Sequence, residues 1–140
     1  MQQEFDSIGR YQVEGKLGQG AAGIVYKAYD PVLQRTVAIK IPKDSDNSII
    51  NNTRAGKDFY SEAVMGGQLQ HENIVSIYDV GRDNKLDYLV MEHVDDWSFK
   101  QHLKNNKPLA VDNVIESIYR PCIALDYIHY NGIVHRDIKP

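Results

Sequence analysis

Three short strings in this 140-residue chain combine the residue types that phosphate or proton chemistry needs. Gly18-Gln19-Gly20-Ala21-Ala22-Gly23, followed by Ile24-Val25, is a G-x-G-x-x-G-x-V string. Glycines let backbone N–H groups reach phosphate oxygens with no Cβ in the way, and Ala21-Ala22 at the tip keep such a loop thin. Val37-Ala38-Ile39-Lys40 ends an apolar run on one long cation, a compact point charge suited to phosphate oxygens, and the small Ala38 leaves room for a flat ring. His135-Arg136-Asp137-Ile138-Lys139 packs imidazole, guanidinium, carboxylate and ammonium together directly after the apolar pair Ile133-Val134, a composition that suits proton transfer or phosphate chemistry. Read alone, each has an ordinary alternative: a flexible hairpin, a strand-end lysine and a charged surface loop.

The elements that must position these strings follow from period and punctuation. Tyr11 to Leu17 alternates, Ile24 to Tyr29 is rich in β-branched and aromatic residues, and Thr36 to Ile41 is an apolar run stopped by Pro42. Three antiparallel strands are expected, the first two joined through Gly18, Gly20 and Gly23 and the next two through Asp30-Pro31. In a dinucleotide-binding fold the third glycine opens a helix; here a strand follows Gly23, which argues against that fold. Arg54 to Leu69 predicts a helix with Ala55, Phe59, Ala63 and Leu69 near one face and Thr53 as N-cap. It carries Glu62, the natural counter-ion for Lys40, with Asp58 one turn away as a competitor. Gly66-Gly67 are its weak point, since each glycine costs about 1 kcal/mol against alanine inside a helix. Ile74 to Val80 and Tyr88 to His93 predict two more strands around a turn at Gly81 to Lys85. Trp97 to Lys104 reads as a short helix and Val111 to Tyr130 as a long one, apolar at Val114, Ile115, Ile118, Cys122, Ile123, Leu125 and Ile128. Asp112 is its candidate N-cap, Asn131-Gly132 its stop, and Pro121 is expected to kink or divide it.

Composition narrows the function classes. With 42% hydrophobic and 25% charged residues the chain suits a globular domain rather than a disordered one. Sixteen Lys and Arg against 19 Asp and Glu give a formal charge of -3, too weak a field to recruit nucleic acid or an anionic membrane. No stretch approaches the roughly 20 apolar residues of a membrane span, and residues 1–10 lack the pattern of a leader, so no membrane contact is expected. The single cysteine, Cys122, forbids an internal disulfide and suits the reducing cytoplasm, where it is expected to be a small buried apolar residue.

Together, and in this order, these strings resemble the eukaryotic-type protein kinases. The matches are Gly18-x-Gly20-x-x-Gly23-x-Val25, Val37-Ala38-Ile39-Lys40, Glu62 in the next helix, His71-Glu72-Asn73-Ile74-Val75, Leu89-Val90-Met91-Glu92, and Ile133-Val134-His135-Arg136-Asp137-Ile138-Lys139-Pro140. The resemblance spans about Tyr11 to Pro140. It implies an α+β fold: a kinase N-lobe of five antiparallel strands and one helix in residues 11–94, after an extension at 1–10, and the first helices of an α-helical C-lobe in 95–140, ending in the catalytic loop. It implies ATP and Mg²⁺ as cofactors and a protein as substrate. Gly18, Gly20 and Gly23 would cover the phosphates, and Lys40, paired to Glu62, would contact the α- and β-phosphates. Leu17, Val25, Ala38 and Met91 would line the adenine slot, with the backbone of Glu92 and Val94 on the purine edge. Asp137 would accept or orient the substrate hydroxyl proton, and Lys139, the pattern of the serine/threonine branch, would neutralise the transferred group. Arg136 is the position that pairs with a phosphorylated activation loop in relatives regulated that way. Ala124-Leu125-Asp126-Tyr127-Ile128-His129 looks most like the bacterial serine/threonine kinases.

The pattern departs at Glu72, where a proline is usual, at Gly66-Gly67 and at Pro121. The family's metal-binding asparagine and Asp-Phe-Gly would lie beyond Pro140, so no metal ligand is assigned and the polypeptide as written is expected to have little or no kinase activity. The long helix around Ile118 and Ile123 is expected to expose an apolar face, open to the rest of a C-lobe or to a partner. The rival expectation is a non-catalytic, truncated module that binds nucleotide or a partner protein.

Overall fold

The computed structural model describes residues 5–43, 54–95, 110–136 and 138. The expected helix at Trp97 to Lys104, the cap Thr53 and the candidate residues Asp137 and Lys139 lie outside them. The chain divides into two compact units, one built from residues up to Gln68 and Val75–Val94, the other from Leu69–Ile74 and the residues from Asp95 onward.

The first unit is an antiparallel sheet plus a helix. Its strands are β1 (Ser7–Ile8), β2 (Tyr11–Gly20), β3 (Gly23–Asp30), β4 (Arg35–Ile41), β5 (Ile77–Asp83) and β6 (Leu86–Glu92), in the order β1-β2-β3-β4-β6-β5. The helix is α1 (Arg54–Gly67). Alternation sorts the side chains onto two faces. On one, Ile8, Tyr11, Tyr26, Ala28, Val37, Ile39, Ile41, Tyr88 and Val90 form the larger core, closed by Phe5, Val13, Ile24 and Leu86. On the other, Phe59 and Ala63 of α1 pack on Leu89, with Ile77 and Met91 beside them. The odd and even positions of β6 thus serve different cores.

Five strands were expected from the sequence; the sixth is the two-residue β1, inside the segment read as an extension. It pairs Ser7 with Gln12 and Ile8 with Tyr11. Its turn reaches the β5–β6 and β3–β4 hairpins: the Gly9 amide donates to Asp83 at 2.9 Å, and the Arg10 guanidinium to Asp30 at 3.1 Å. Asp30 is buried and also accepts from the Val32 and Leu33 amides, closing the β3–β4 turn. Burial pushes its carboxyl up, but the Arg10 bond and the two amides outweigh that and hold it below the ordinary carboxylate value.

Other boundaries also moved. The β5–β6 turn is only Asn84-Lys85, both in the left-handed region (φ 47° and 71°), the geometry of a tight hairpin that follows strand twist. β5 therefore runs through Gly81 to Asp83, where a turn was expected, and it begins at Ile77 rather than Ile74 because residues 72–74 turn.

In the second unit, α2 (Val111–Tyr130) passes Pro121 undivided, so of the kink or division expected there the division does not occur. Ala110, not Asp112, is its N-cap; Asp112 sits in the first turn, where a carboxylate favours the positive end of the helix dipole. The stop at Asn131-Gly132 is as expected: Gly132 takes φ 74° and its amide donates to His129 O, while Asn131 Nδ2 caps Tyr127 O. Tyr127 also ties residues 69–74 to α2, its hydroxyl accepting from the Gln70 amide and its ring lying 5.0 Å from that of His71. Val111, Ile115, Ile118 and Tyr119 form an exposed apolar stripe. Cys122 is exposed rather than buried, since it falls beside that stripe.

Candidate functional site

The glycine string forms the far end of the β2–β3 hairpin. Gly20 pairs with Gly23, and Ala21-Ala22 are the whole turn. Irregularities between Val13 and Gly15 and between Lys16 and Gly18 push Glu14 and Leu17 out of the ladder, and Leu17 is half-exposed. The three glycines serve different ends. A Cβ on Gly18 or Gly20 would meet nothing within 4 Å, so the backbone there faces open space, a cradle that fits a polyphosphate. At Gly23 the chain takes φ 138° and a Cβ would lie 2.0 Å from Ile41 O, so this glycine is demanded by the fold itself.

Register places the slot residues on the α1 face. Val25 is opposite Gly18 on one side and Lys40 on the other, Lys40 is opposite Leu89, and Ala38 is opposite Met91. Directly paired residues share a face, so Val25, Ala38, Lys40 and Met91 line the same side as the core under α1. Ala38 is buried, with no bulk to fill the space above it.

Lys40 leaves this face toward α1. Its Nζ donates to both oxygens of Glu62, at 2.6 and 2.8 Å. Of the two acids weighed from the sequence, Glu62 is the partner observed; the Asp58 side chain lies outside the described residues. The lysine is 15% exposed and the glutamate 49%, so water screens the pair and its contribution to stability is at most about 1 kcal/mol. Its importance is positional: it holds a cation extended beside the open hairpin.

Glu92 at the end of β6 does more than its sequence position suggested. Its amide donates to Ser76 O at 2.9 Å and its carboxylate accepts from Ser76 N at 3.1 Å. The amide is thereby occupied, so of its backbone groups the carbonyl is the one left for a ligand edge. Val94, two residues on, is exposed. Two features escaped sequence reasoning, the Glu92–Ser76 clamp and the close approach of Gly66 to Ile77; no local pattern signals either, because each depends on strands brought together by the sheet. Arg136 is exposed with φ 61°. Among the described residues no group of three His, Cys, Asp or Glu could hold a metal ion, and none of the helices there is long and apolar enough to cross a membrane.

A lysine–glutamate pair between sheet and helix, beside a glycine hairpin, suits the N-lobe of a protein kinase, and the chain belongs to the protein kinase family: the family model described as protein kinase domain matches residues 11–140. Its curated relatives include bacterial serine/threonine kinases. A probable serine/threonine-protein kinase of Clostridium acetobutylicum is 38% identical over 131 residues, and the serine/threonine-protein kinase PrkC of Bacillus subtilis 39% over 135, each match covering 94% of this chain. The chain spans about a fifth of their length, 20% in both cases. The crystal structure of the Mycobacterium tuberculosis PknI kinase domain matches with a TM-score of 0.75 and 28% identity, covering 94% of this chain and 52% of that one.

Proposed function

We propose that this chain carries the ATP-holding part of a cytoplasmic serine/threonine protein kinase that transfers a phosphoryl group from Mg-ATP to a protein hydroxyl. The observation that supports this most is the two-oxygen Lys40–Glu62 pair on the same face as Val25, Ala38 and Met91, next to the uncovered backbone of Gly18 and Gly20. Bound ATP would supply the phosphoryl group and the polyphosphate charge. On this reading Lys40 holds the α- and β-phosphates, Glu62 keeps Lys40 extended, and Gly18, Gly20 and Gly23 cover the phosphates from above. Leu17, Val25, Ala38 and Met91 sandwich the purine, with the Glu92 carbonyl and the Val94 backbone along its edge. Asp137 orients the acceptor hydroxyl and Lys139 offsets charge on the group in flight. Mg²⁺ belongs to the reading through positions that the family resemblance puts beyond Pro140.

The exposed stripe Val111, Ile115, Ile118 and Tyr119 favours a second reading, a non-catalytic module that binds nucleotide and presents α2 to a partner. One experiment separates them: phosphoryl transfer from labelled ATP to a serine-containing protein, by the native protein and by Lys40→Met. Transfer by the native protein that is lost in Lys40→Met, with a cooperative melt kept within about 1 kcal/mol of wild type, supports the kinase. Equal transfer by both proteins refutes the role of Lys40; no transfer by either, in a protein long enough to carry the family's metal-binding positions and with melting still shifted by ADP, supports the module.

A further inference from the structure

Glu92 ends β6 with both its backbone and its side chain engaged by one residue. Its amide donates to Ser76 O at 2.9 Å, and Ser76 N donates at 3.1 Å to the Glu92 carboxylate. In a regular antiparallel ladder the two residues of a hydrogen-bonded pair exchange both backbone bonds, so the return bond from Ser76 N belongs on the Glu92 carbonyl. Here the carboxylate takes it. A charged acceptor makes roughly twice as strong a hydrogen bond as a neutral carbonyl, which is why the side chain wins. The adjoining pair, Ile77 with Met91, keeps Ser76 and Glu92 within reach of each other, and Val37 of β4 stands opposite Glu92 on its other side.

The carboxylate is on the wrong face to touch a ligand in the slot. Glu92 is opposite Val37, whose side chain belongs to the larger core, whereas Met91 is opposite Ala38 on the face under α1. Directly paired residues share a face and neighbours along a strand alternate, so the Glu92 side chain leaves the sheet on the side away from the slot. It can reach a ligand only through its own backbone.

We infer that the Glu92 carboxylate, by holding Ser76 N, keeps the Glu92 carbonyl open and so lets the site select a purine that carries an exocyclic amino donor. Glu92 is then a positioning residue whose side chain works from behind the sheet. Its effect on a purine rests on the proposed function; the tie to Ser76 does not. The opposing interpretation is that the carboxylate only caps the start of β5 and that ligand recognition is indifferent to it.

Calorimetry on the native protein with two nucleotides separates these: ADP, and the diphosphate of purine riboside, which lacks the 6-amino group. The native protein is expected to bind ADP about tenfold more tightly, the contribution of one hydrogen bond. In Glu92→Ala the Ser76 amide is released and closes on the carbonyl at position 92, so ADP affinity is expected to fall to that of the analogue while the analogue's own affinity holds. Glu92→Gln, whose side-chain oxygen still accepts from Ser76 N, is expected to recover most of the preference. Adding Ser76→Pro to Glu92→Ala deletes the rival donor next to β5, an edge strand, where proline is tolerated, and is expected to restore the preference. An equal loss for both nucleotides in folded Glu92→Ala marks a structural role and overturns the inference, as does an undiminished preference for ADP or a folded double variant that restores nothing. Should Glu92→Ala not fold, Glu92→Met, which keeps the stem without the carboxylate, is read in its place by the same outcomes. Equal binding of both nucleotides by the native protein overturns the inference and leaves the nucleotide site standing; binding of neither refutes the nucleotide reading and the inference with it.

Discussion

At the end of the sheet where β2 begins, Arg10, Asp30, Tyr11 and Asp79 engage one another's polar atoms, and the backbone amides of Gly9, Val32 and Leu33 are all taken up by carboxylates. At the opposite end, where β2 finishes, Gly18 and Gly20 leave their backbone bare and Leu17 is pushed out of the ladder. The difference teaches where the lobe can afford motion. Closing one end with satisfied polar groups lets the other leave the space beside Gly18 and Gly20 open for a ligand.

The sharpest way to break this comparison is within the glycine string. Gly23→Ala sets a Cβ against Ile41 O at a φ that L-residues avoid, and should destabilise the protein by about 3 kcal/mol in denaturant unfolding. Gly20→Ala, facing open space, should leave stability within about 1 kcal/mol while weakening ADP binding by calorimetry. Equal costs at the two positions would erase the distinction. At the closed end, Asp30→Ala orphans the Val32 and Leu33 amides and should cost about 2 kcal/mol. The smallest effects are those of pH. Burial pushes the Tyr11 phenol up to about 12 from the ordinary 10.0. The folded state thus favours the neutral phenol: the contribution is whole below pH 10.0 and is lost as pH rises through about 12. Tyr88 shifts the same way, again chiefly through burial. Tyr11→Phe should flatten the alkaline branch of the melting profile; an unchanged slope would remove Tyr11 from the closed end. Asp30 acts at the acid side with the opposite sign: its contribution is present above the unfolded value of 3.8 and lost as pH falls through the lower folded value.

Much of this was readable in advance. The strands β2 to β4 and the Lys40–Glu62 pair follow from alternation, punctuation and motif order, whereas the two irregularities that shift the β2–β3 register do not. What stayed hidden depends on encounters far apart in sequence. Residues 7–8 carry too short a pattern to read as a strand, and only Asp30 and Asp83, brought together by two hairpins, give their turn a function. Gly66 carries a propensity cost that is real locally, but its close approach to Ile77 is invisible until β5 lies beneath α1. Pro121 shows the same limit in reverse, since a local penalty did not divide a helix of 20 residues.

The reach of that first turn also orders events in time. The Gly9–Asp83 and Tyr11–Asp79 contacts span 74 and 68 residues. During synthesis the β1–β2 turn must wait for β5 to leave the ribosome before its contacts with Asp79 and Asp83 can form, so that end of the sheet is sealed late. Until then the aromatic and aliphatic side chains of the larger core stand open, which makes the nascent lobe, rather than the finished one, the form most in need of a chaperone.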